Sequence, residues 1–189
     1  MLPEPFHTIS KSDIRLQDYQ AGEQIFGIGE TSNAMFFLIS GEVHLQRYSE
    51  NGDLIIIHRA YANSYFAEAS LFAPAYHCDA VVTQQAVIST LSKQVVLDKM
   101  SDDPKFSFVV TAYFARQVQD YRRLVEIRSI KSATARVLTG IQEDLLKGSV
   151  ISFASTLGLT HEATYRALAE LVKQGSIRKI GRGQYQLLR

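Results

Sequence analysis

One cysteine, Cys78, stands in the whole 189-residue chain. A single thiol cannot close an intramolecular disulfide, so no covalent framework supports the fold, and the composition suits a reducing compartment. Long apolar runs are missing as well. None approaches the roughly 20 residues that a membrane helix needs. The start, Met1-Leu2-Pro3-Glu4-Pro5-Phe6, has neither the basic residues nor the apolar segment of a secretion signal. The expectation is a cytoplasmic protein with no membrane partner. Catalytic constellations are equally scarce: no Ser/His/Asp arrangement, no paired histidines for a metal, and no phosphate-cradling glycine loop. Gly27-Ile28-Gly29 precedes a turn rather than a helix, so it lacks the context that gives such a pair meaning. The chain is not expected to be an enzyme or to hold a metal site. Neither an internal repeat nor a low-complexity tract stands out.

What is present is a soluble composition with an uneven charge. Hydrophobic residues make up 46% and charged residues 21%, as in globular proteins, and the length allows two unequal domains with their own cores. Residues 128–189 hold ten Lys and Arg against four Asp and Glu, a net of +6. Residues 1–127 hold ten against fifteen, a net of −5. A basic module attached to an acidic one is the electrostatic footprint of nucleic-acid binding, because clustered cations release counterions from phosphates. A membrane-surface helix would need a broad apolar face, and the C-terminal helical segments are too short and interrupted to supply one.

Between residues 23 and 91 the pattern is one of short strands: 25–26, 35–39, 43–48, 54–58 and 86–91, rich in β-branched and aromatic residues. Gly27-Ile28-Gly29, Ser40-Gly41 and Glu50-Asn51-Gly52-Asp53 separate them, and Asn51-Gly52 is a hairpin signal. The spacing indicates an antiparallel barrel or double-sheet roll. After Val95 the period becomes helical. Apolar residues recur at threes and fours over 104–128, roughly 35 Å of helix. Such a length suggests a partner helix, with Val110, Tyr113, Phe114, Gln117, Tyr121 and Leu124 on the seam; the alternative is packing on its own barrel. A hinge is expected at 129–132, with Ser132 capping a helix over 133–146 that Lys147-Gly148 closes. Short helices over 152–157 and 160–174 follow, then strands 177–180 and 185–188 around Gly181-Arg182-Gly183. The fold class is α+β.

The segment from Leu157 to Arg166 carries the most chemistry. Gly158 supplies the positive φ of a tight turn, and Thr160 caps the next helix. Glu162 and Arg166 then share one helical face. There a carboxylate can accept from cytosine N4, and a guanidinium can grip guanine O6 and N7. An exposed Glu–Arg ion pair is the alternative for these two alone. In the terminal hairpin Arg178, Lys179, Arg182 and Arg189 are placed to meet phosphates, or to do no more than solvate it.

These residues resemble the CRP/FNR family of bacterial transcription regulators over nearly the whole chain, from about Tyr19 to Leu188. The likeness rests on Ala21-Gly22-Glu23-x-Ile25-Phe26-x-x-Gly29-Glu30, residues 36–39 and Gly41-Glu42-Val43 in the first part. Later it rests on Leu157-Gly158-Leu159-Thr160, Glu162-x-x-x-Arg166, Leu168, Leu171 and Gly175. The resemblance implies a double-stranded jelly-roll type β-roll sensor over 1–103, a dimerisation helix and hinge over 104–131, and a winged helix-turn-helix over 132–189. It implies a homodimer on double-stranded DNA, reading a palindrome through Thr160, His161, Glu162, Thr164, Tyr165, Arg166, Arg178 and Arg182. An activator would also meet RNA polymerase, though the sequence identifies no surface for it. Tyr165 stands where the family usually has a small residue, and Thr164 replaces a common valine, which leaves the operator sequence open.

The sensor departs further. Family members that bind cyclic AMP use Gly-Glu for the ribose and Arg-Ser/Thr for the phosphate. Here Ala67-Glu68 and Cys78-Asp79 stand in those places. A carboxylate beside a phosphate adds repulsion and removes a bidentate partner, so cyclic AMP is not the expected effector. The effector pocket is expected to involve Glu68, Tyr76, His77, Cys78 and Asp79. Haem, a redox response of Cys78, and a small anion or metabolite all stay open. His77 and Cys78 point to opposite faces of a strand and so cannot easily share one metal. The resemblance also leaves open a sensor or partner-binding module with weak or lost DNA binding.

Overall fold

The computed structural model describes residues 2–146 and 149–188. The chain divides into two compact units, Met1–Tyr113 and Phe114–Arg189. The first holds β1 (Ile14–Tyr19), β2 (Gln24–Phe26), β3 (Ala34–Tyr48), β4 (Leu54–Tyr61), β5 (Ser64–Phe66), β6 (Asp79–Ser92) and α1 (Lys93–Asp102). α2 (Pro104–Ser129) runs from the first unit into the second. The second unit continues with α3 (Ala133–Gln142), α4 (Val150–Leu157), α5 (His161–Lys173), β7 (Ile177–Gly181) and β8 (Gln184–Leu187).

The fold is α+β. All strand pairs of the first unit are antiparallel, in the order β1-β6-β3-β4, with β2 added to β6 and β5 to β3. Strand alternation sends Phe36, Leu38, Val43, Leu45, Ala80, Val82 and Ile88 to one core. Aromatic rings close it: Phe26 stacks on Tyr76 with centroids 3.8 Å apart, and Phe36 stacks on Phe66 at 5.1 Å. The Asn51-Gly52 hairpin forms between β3 and β4, with Gly52 at φ 84°.

Ser40-Gly41, read as a break between two strands, lies inside the single 15-residue β3. Gly41 is there for a different reason: at φ 94° a Cβ would stand 2.4 Å from the Gln85 carbonyl oxygen. The glycine allows a strand crossing, not a turn. β1, β5 and the first half of β6 were not anticipated, although Ile14-Arg15-Leu16-Gln17 alternates as a strand should.

The helix that begins at Pro104 matches its expected span, but its first half packs inward. Val110 is fully buried within the first unit, and Tyr113 meets Phe6 and Tyr65 edge to face. These two residues therefore serve the roll's own packing rather than a seam with a second chain. Further along, Phe114, Gln117 and Leu124 are half-buried, and Tyr121 is exposed. The exposed apolar residues of that half are Val118, Tyr121 and Val125. Together with Phe114 they recur at intervals of four, three and four, the spacing of one helical seam.

Ser132 caps α3 as expected, its hydroxyl accepting from the Ala135 N–H at 3.3 Å. The helix stops at Gln142, short of the expected 146. Asp144 takes a left-handed conformation, φ 54°, which an aspartate tolerates, and the Leu145 N–H returns to the Gly140 carbonyl. The expected closure at Lys147-Gly148 lies outside the described residues, as does Arg189. The core of the second unit gathers Val137, Phe153, Leu157, Leu168, Leu171 and Ile177. Gly140 lets α3 approach closely, since a Cβ there would meet Phe153 and Leu157 at 2.9 Å.

Candidate functional site

The turn between α4 and α5 is built locally. Gly158 ends α4 at φ 64° and ψ 40°, and the Thr160 hydroxyl accepts from the Ala163 N–H at 3.2 Å to start α5. One stripe of α5 (Thr164, Ala167, Leu168, Leu171) is buried. The opposite face presents His161, Glu162, Tyr165 and Arg166 to solvent. The Glu162 carboxyl is held below its usual range, chiefly by accepting from its own backbone N–H and then from Thr160, with His161 and Arg166 adding less. Arg166 forms no ion pair among the described residues, so the alternative of a simple Glu162–Arg166 bridge does not describe this helix. The face offers an ionised acceptor and a free guanidinium side by side.

Thr164 is a correction. It is 0% exposed, and its hydroxyl donates to the Thr160 carbonyl at 3.0 Å, so it supports the helix start and cannot touch a base. Its phase with Ala167, Leu168 and Leu171 is the signal that places it inside. In the terminal hairpin Arg178 is exposed but committed. Its Nε and Nη2 donate to Gln186 Oε1 at 2.9 and 2.6 Å. Arg182 sits exposed at the turn beside Gly183, which has φ 72°.

Two arginines outside the expected set hold this turn. Arg128 Nε donates to the Thr156 carbonyl at 2.9 Å. Arg136 donates twice to the Ile130 carbonyl, at 2.9 and 2.6 Å, and also reaches the Leu157 and Gly158 carbonyls at 3.3 and 3.4 Å. The last carbonyls of a helix lack intrahelical partners and carry partial negative charge, which these guanidinium groups satisfy. Arg136 thereby fastens the 130–132 break to the helix-turn-helix.

The expected effector residues do not gather into one pocket. Tyr76 is a core residue: besides stacking on Phe26, it donates its hydroxyl to the Ala34 carbonyl at 2.9 Å. Cys78 is 1% exposed in the same core, and burial pushes its thiol upward against the opposing effect of Arg47. A protonated, enclosed thiol is poorly suited to redox sensing. His77 is exposed, and its carbonyl receives the Arg47 guanidinium. Asp79 Oδ1 accepts from the Ile28 N–H at 2.8 Å, so this carboxylate braces the Gly27-Ile28-Gly29 turn. Ala67 keeps a glycine-like conformation, φ 58° and ψ 17°, ahead of the half-buried Glu68. With Cys78 enclosed and the Asp79 carboxyl bracing Ile28, these residues supply no cationic donor for the phosphate of a cyclic nucleotide.

His58 belongs beside Glu68, and sequence reasoning missed it. It is in phase with the buried Ala60 on β4 and pairs with Leu45 on β3. Burial lowers its pKa from 6.5, and Glu68 opposes the shift. The neutral imidazole is favoured in the folded unit, so folding stability is complete above about pH 6.5 and is lost as pH falls toward the lowered value. Urea unfolding at pH 7.5 and 5.5 should show a weaker N-terminal unit at the lower pH. His58→Gln should flatten that difference; an unchanged pH dependence would assign it to another group.

Residues 16–103 match the cyclic nucleotide-binding domain family. Solved structures share the fold over almost the full length. FixK2 from Bradyrhizobium japonicum aligns with a TM-score of 0.71 at 20% identity, covering 93% of each chain. CLP from Xanthomonas campestris, described as a c-di-GMP responsive global regulator, aligns at 0.66 and 15% identity over 94% of this chain and 95% of that one. The catabolite activator protein of Thermus thermophilus aligns at 0.54 and 22% identity, over 97% and 92%. No curated protein matches the chain.

Proposed function

We infer that this chain, with a cyclic nucleotide-binding type domain at residues 16–103 and the fold of CRP/FNR regulators throughout, is a DNA-binding transcription regulator acting as a homodimer. The observation that carries the reading is the exposed face of α5, where an ionised Glu162 and an unpaired Arg166 stand four residues apart at the start of a capped helix. Residues 1–103 are the sensor, 104–131 the pairing helix and hinge, and 132–189 the winged helix-turn-helix.

In this mechanism α5 enters the major groove by its N-terminal end. Arg166 grips a guanine, Glu162 accepts from a cytosine amino group, and His161 and Tyr165 flank them against the neighbouring base or phosphate. Thr160 orients the helix start. Arg182 on the hairpin turn meets a phosphate, while Arg178 holds the two strands together through Gln186 and contacts the backbone by its remaining N–H groups. Pairing through the exposed stripe of α2 sets two copies of α5 roughly 34 Å apart, one turn of DNA. The 130–132 break, fastened by Arg136, fixes the direction in which each α5 is presented. Cyclic AMP is not the effector, because the positions facing a phosphate offer a buried thiol and an anion.

Selection of bound sequences from a random duplex library, with purified protein and no added nucleotide, tests the reading. The expected product is a palindrome with half-sites one helical turn apart. Recovery of no sequence at low salt would favour a sensor module without DNA affinity. Arg166→Ala should then weaken binding to the selected site by about 1–3 kcal/mol and relax preference at one base pair. Arg182→Ala should weaken binding to all sequences alike and lower the salt dependence. An Arg166→Ala protein with unchanged affinity and preference would remove α5 from the groove.

A further inference from the structure

The outer face of the roll carries a cavity of about 590 Å³ that the DNA-binding reading does not use. Its floor is a row across three strands, Leu16 on β1, Ser89 on β6 and Phe37 on β3, paired by the sheet register. Ile39 continues the row, and Leu2, Pro3 and Ile14 form further walls. Three polar side chains face this apolar lining: Lys11, Asn63 and Ser89. Ser89 is only 4% exposed and lines the floor, where its hydroxyl can both donate and accept. Lys11, in the short turn of helix before β1, makes no ion pair among the described residues. Among the described residues, no acidic side chain lines the cavity.

We propose that this cavity is a ligand site for an amphipathic carboxylate of medium chain length. The carboxylate meets the Lys11 ammonium and the Asn63 amide at the mouth, and the chain lies along Leu16, Phe37 and Ile39 above the Ser89 hydroxyl. The volume lies within the range of small-molecule sites, roughly 300–1,000 Å³, and the mostly apolar lining with a few convergent polar groups is their usual composition. A single cation set among apolar walls suits one negative charge with a hydrocarbon body. A nucleotide or other polyanion would leave charges unmatched there. The site lies on the face of the sheet opposite the aromatic core of Phe26, Phe36, Phe66 and Tyr76, and is distinct from the positions of a cyclic nucleotide.

Isothermal titration of the full-length chain with decanoate, kept below its micelle-forming concentration, reads this directly. Decanol and decylammonium serve as the neutral and cationic controls. One saturable site per chain is expected, with decanoate bound more tightly than decanol and decylammonium most weakly. Lys11→Gln should weaken decanoate about tenfold and abolish its advantage over decanol, since a charge-assisted contact becomes a neutral one. Leu16→Asp introduces a like charge at a position that is 62% exposed, so folding is not at stake, and it should remove decanoate binding altogether. Three results would overturn the proposal: no saturable binding, equal affinity for all three probes, or binding indifferent to Leu16→Asp. The titration contains no DNA, so its failure leaves the reading of α5 untouched.

Discussion

Arg136→Ala lowers the unfolding free energy of the C-terminal unit by about 2–3 kcal/mol, the scale of charge-assisted hydrogen bonds whose carbonyl partners are left unmet. The same change weakens DNA binding by about tenfold or more, because an α5 whose start is no longer fastened spends less time in the binding geometry. The reasoning follows from where the guanidinium reaches. It joins the Ile130 carbonyl, just beyond the end of α2, to the Leu157 and Gly158 carbonyls at the turn before α5. Among the described residues, no second side chain serves all three. Arg136→Lys, which keeps the charge but loses the planar fork, should recover only part of either loss. Urea unfolding followed by circular dichroism gives the first number and fluorescence anisotropy on the selected operator gives the second. If both stay at the level of the unaltered protein, Arg136 is a surface residue and the fastening described above is wrong.

Val125→Glu produces the largest expected loss of operator affinity while leaving the single chain folded. Val125 is 64% exposed, so the substitution should shift the stability of one chain by no more than about 0.5 kcal/mol. In a symmetric pair of α2 helices, however, a carboxylate on the seam faces apolar Val118 and Tyr121 or its own copy. Sedimentation should therefore show a monomer. Two half-sites held by two separate chains lose the advantage of tethering, so affinity for the palindrome should fall by about a hundredfold or more. Binding to an isolated half-site should hardly change. A Val125→Glu protein that still sediments as a dimer would move the pairing surface away from the second half of α2, and unaltered palindrome affinity would make pairing irrelevant to DNA binding.

How much of this was legible in the sequence depended on the distance between cause and effect along the chain. Gly158, Thr160 and Ser132 act on neighbours within three residues, so the end of α4 and the starts of α3 and α5 could be read from them directly. The period of α2 was equally plain, yet it could not tell which part of the apolar stripe the roll would claim. Val110 is fully enclosed, and Tyr113 faces Phe6 and Tyr65, which are far away in sequence. Arg136 was invisible for a related reason: its partners are backbone carbonyls, which every residue has, and which only the fold brings together. Tyr76 and Cys78 are assigned by position relative to a known pattern, and the bend before β6 that places Cys78 in the core overrides that assignment. Thr164 was a misreading that the helical period alone could have prevented. The Ser40-Gly41 pair misled because a glycine at a close crossing and a glycine at a turn look identical in sequence.

Ala67 carries a consequence for the shape of the loop before Glu68. A side chain at φ 58° sits in a conformation that glycine adopts freely and alanine resists by roughly 1–2 kcal/mol. The backbone bends there all the same, because its surroundings leave it no other course. The outline of this bend is thus imposed from outside, by Phe66 in the core on one side and by the short helical turn that begins at Glu68 on the other. An outline enforced by its neighbours holds the bend although the Ala67 methyl resists it, so the shape of this loop depends on packing rather than on the residue at its apex.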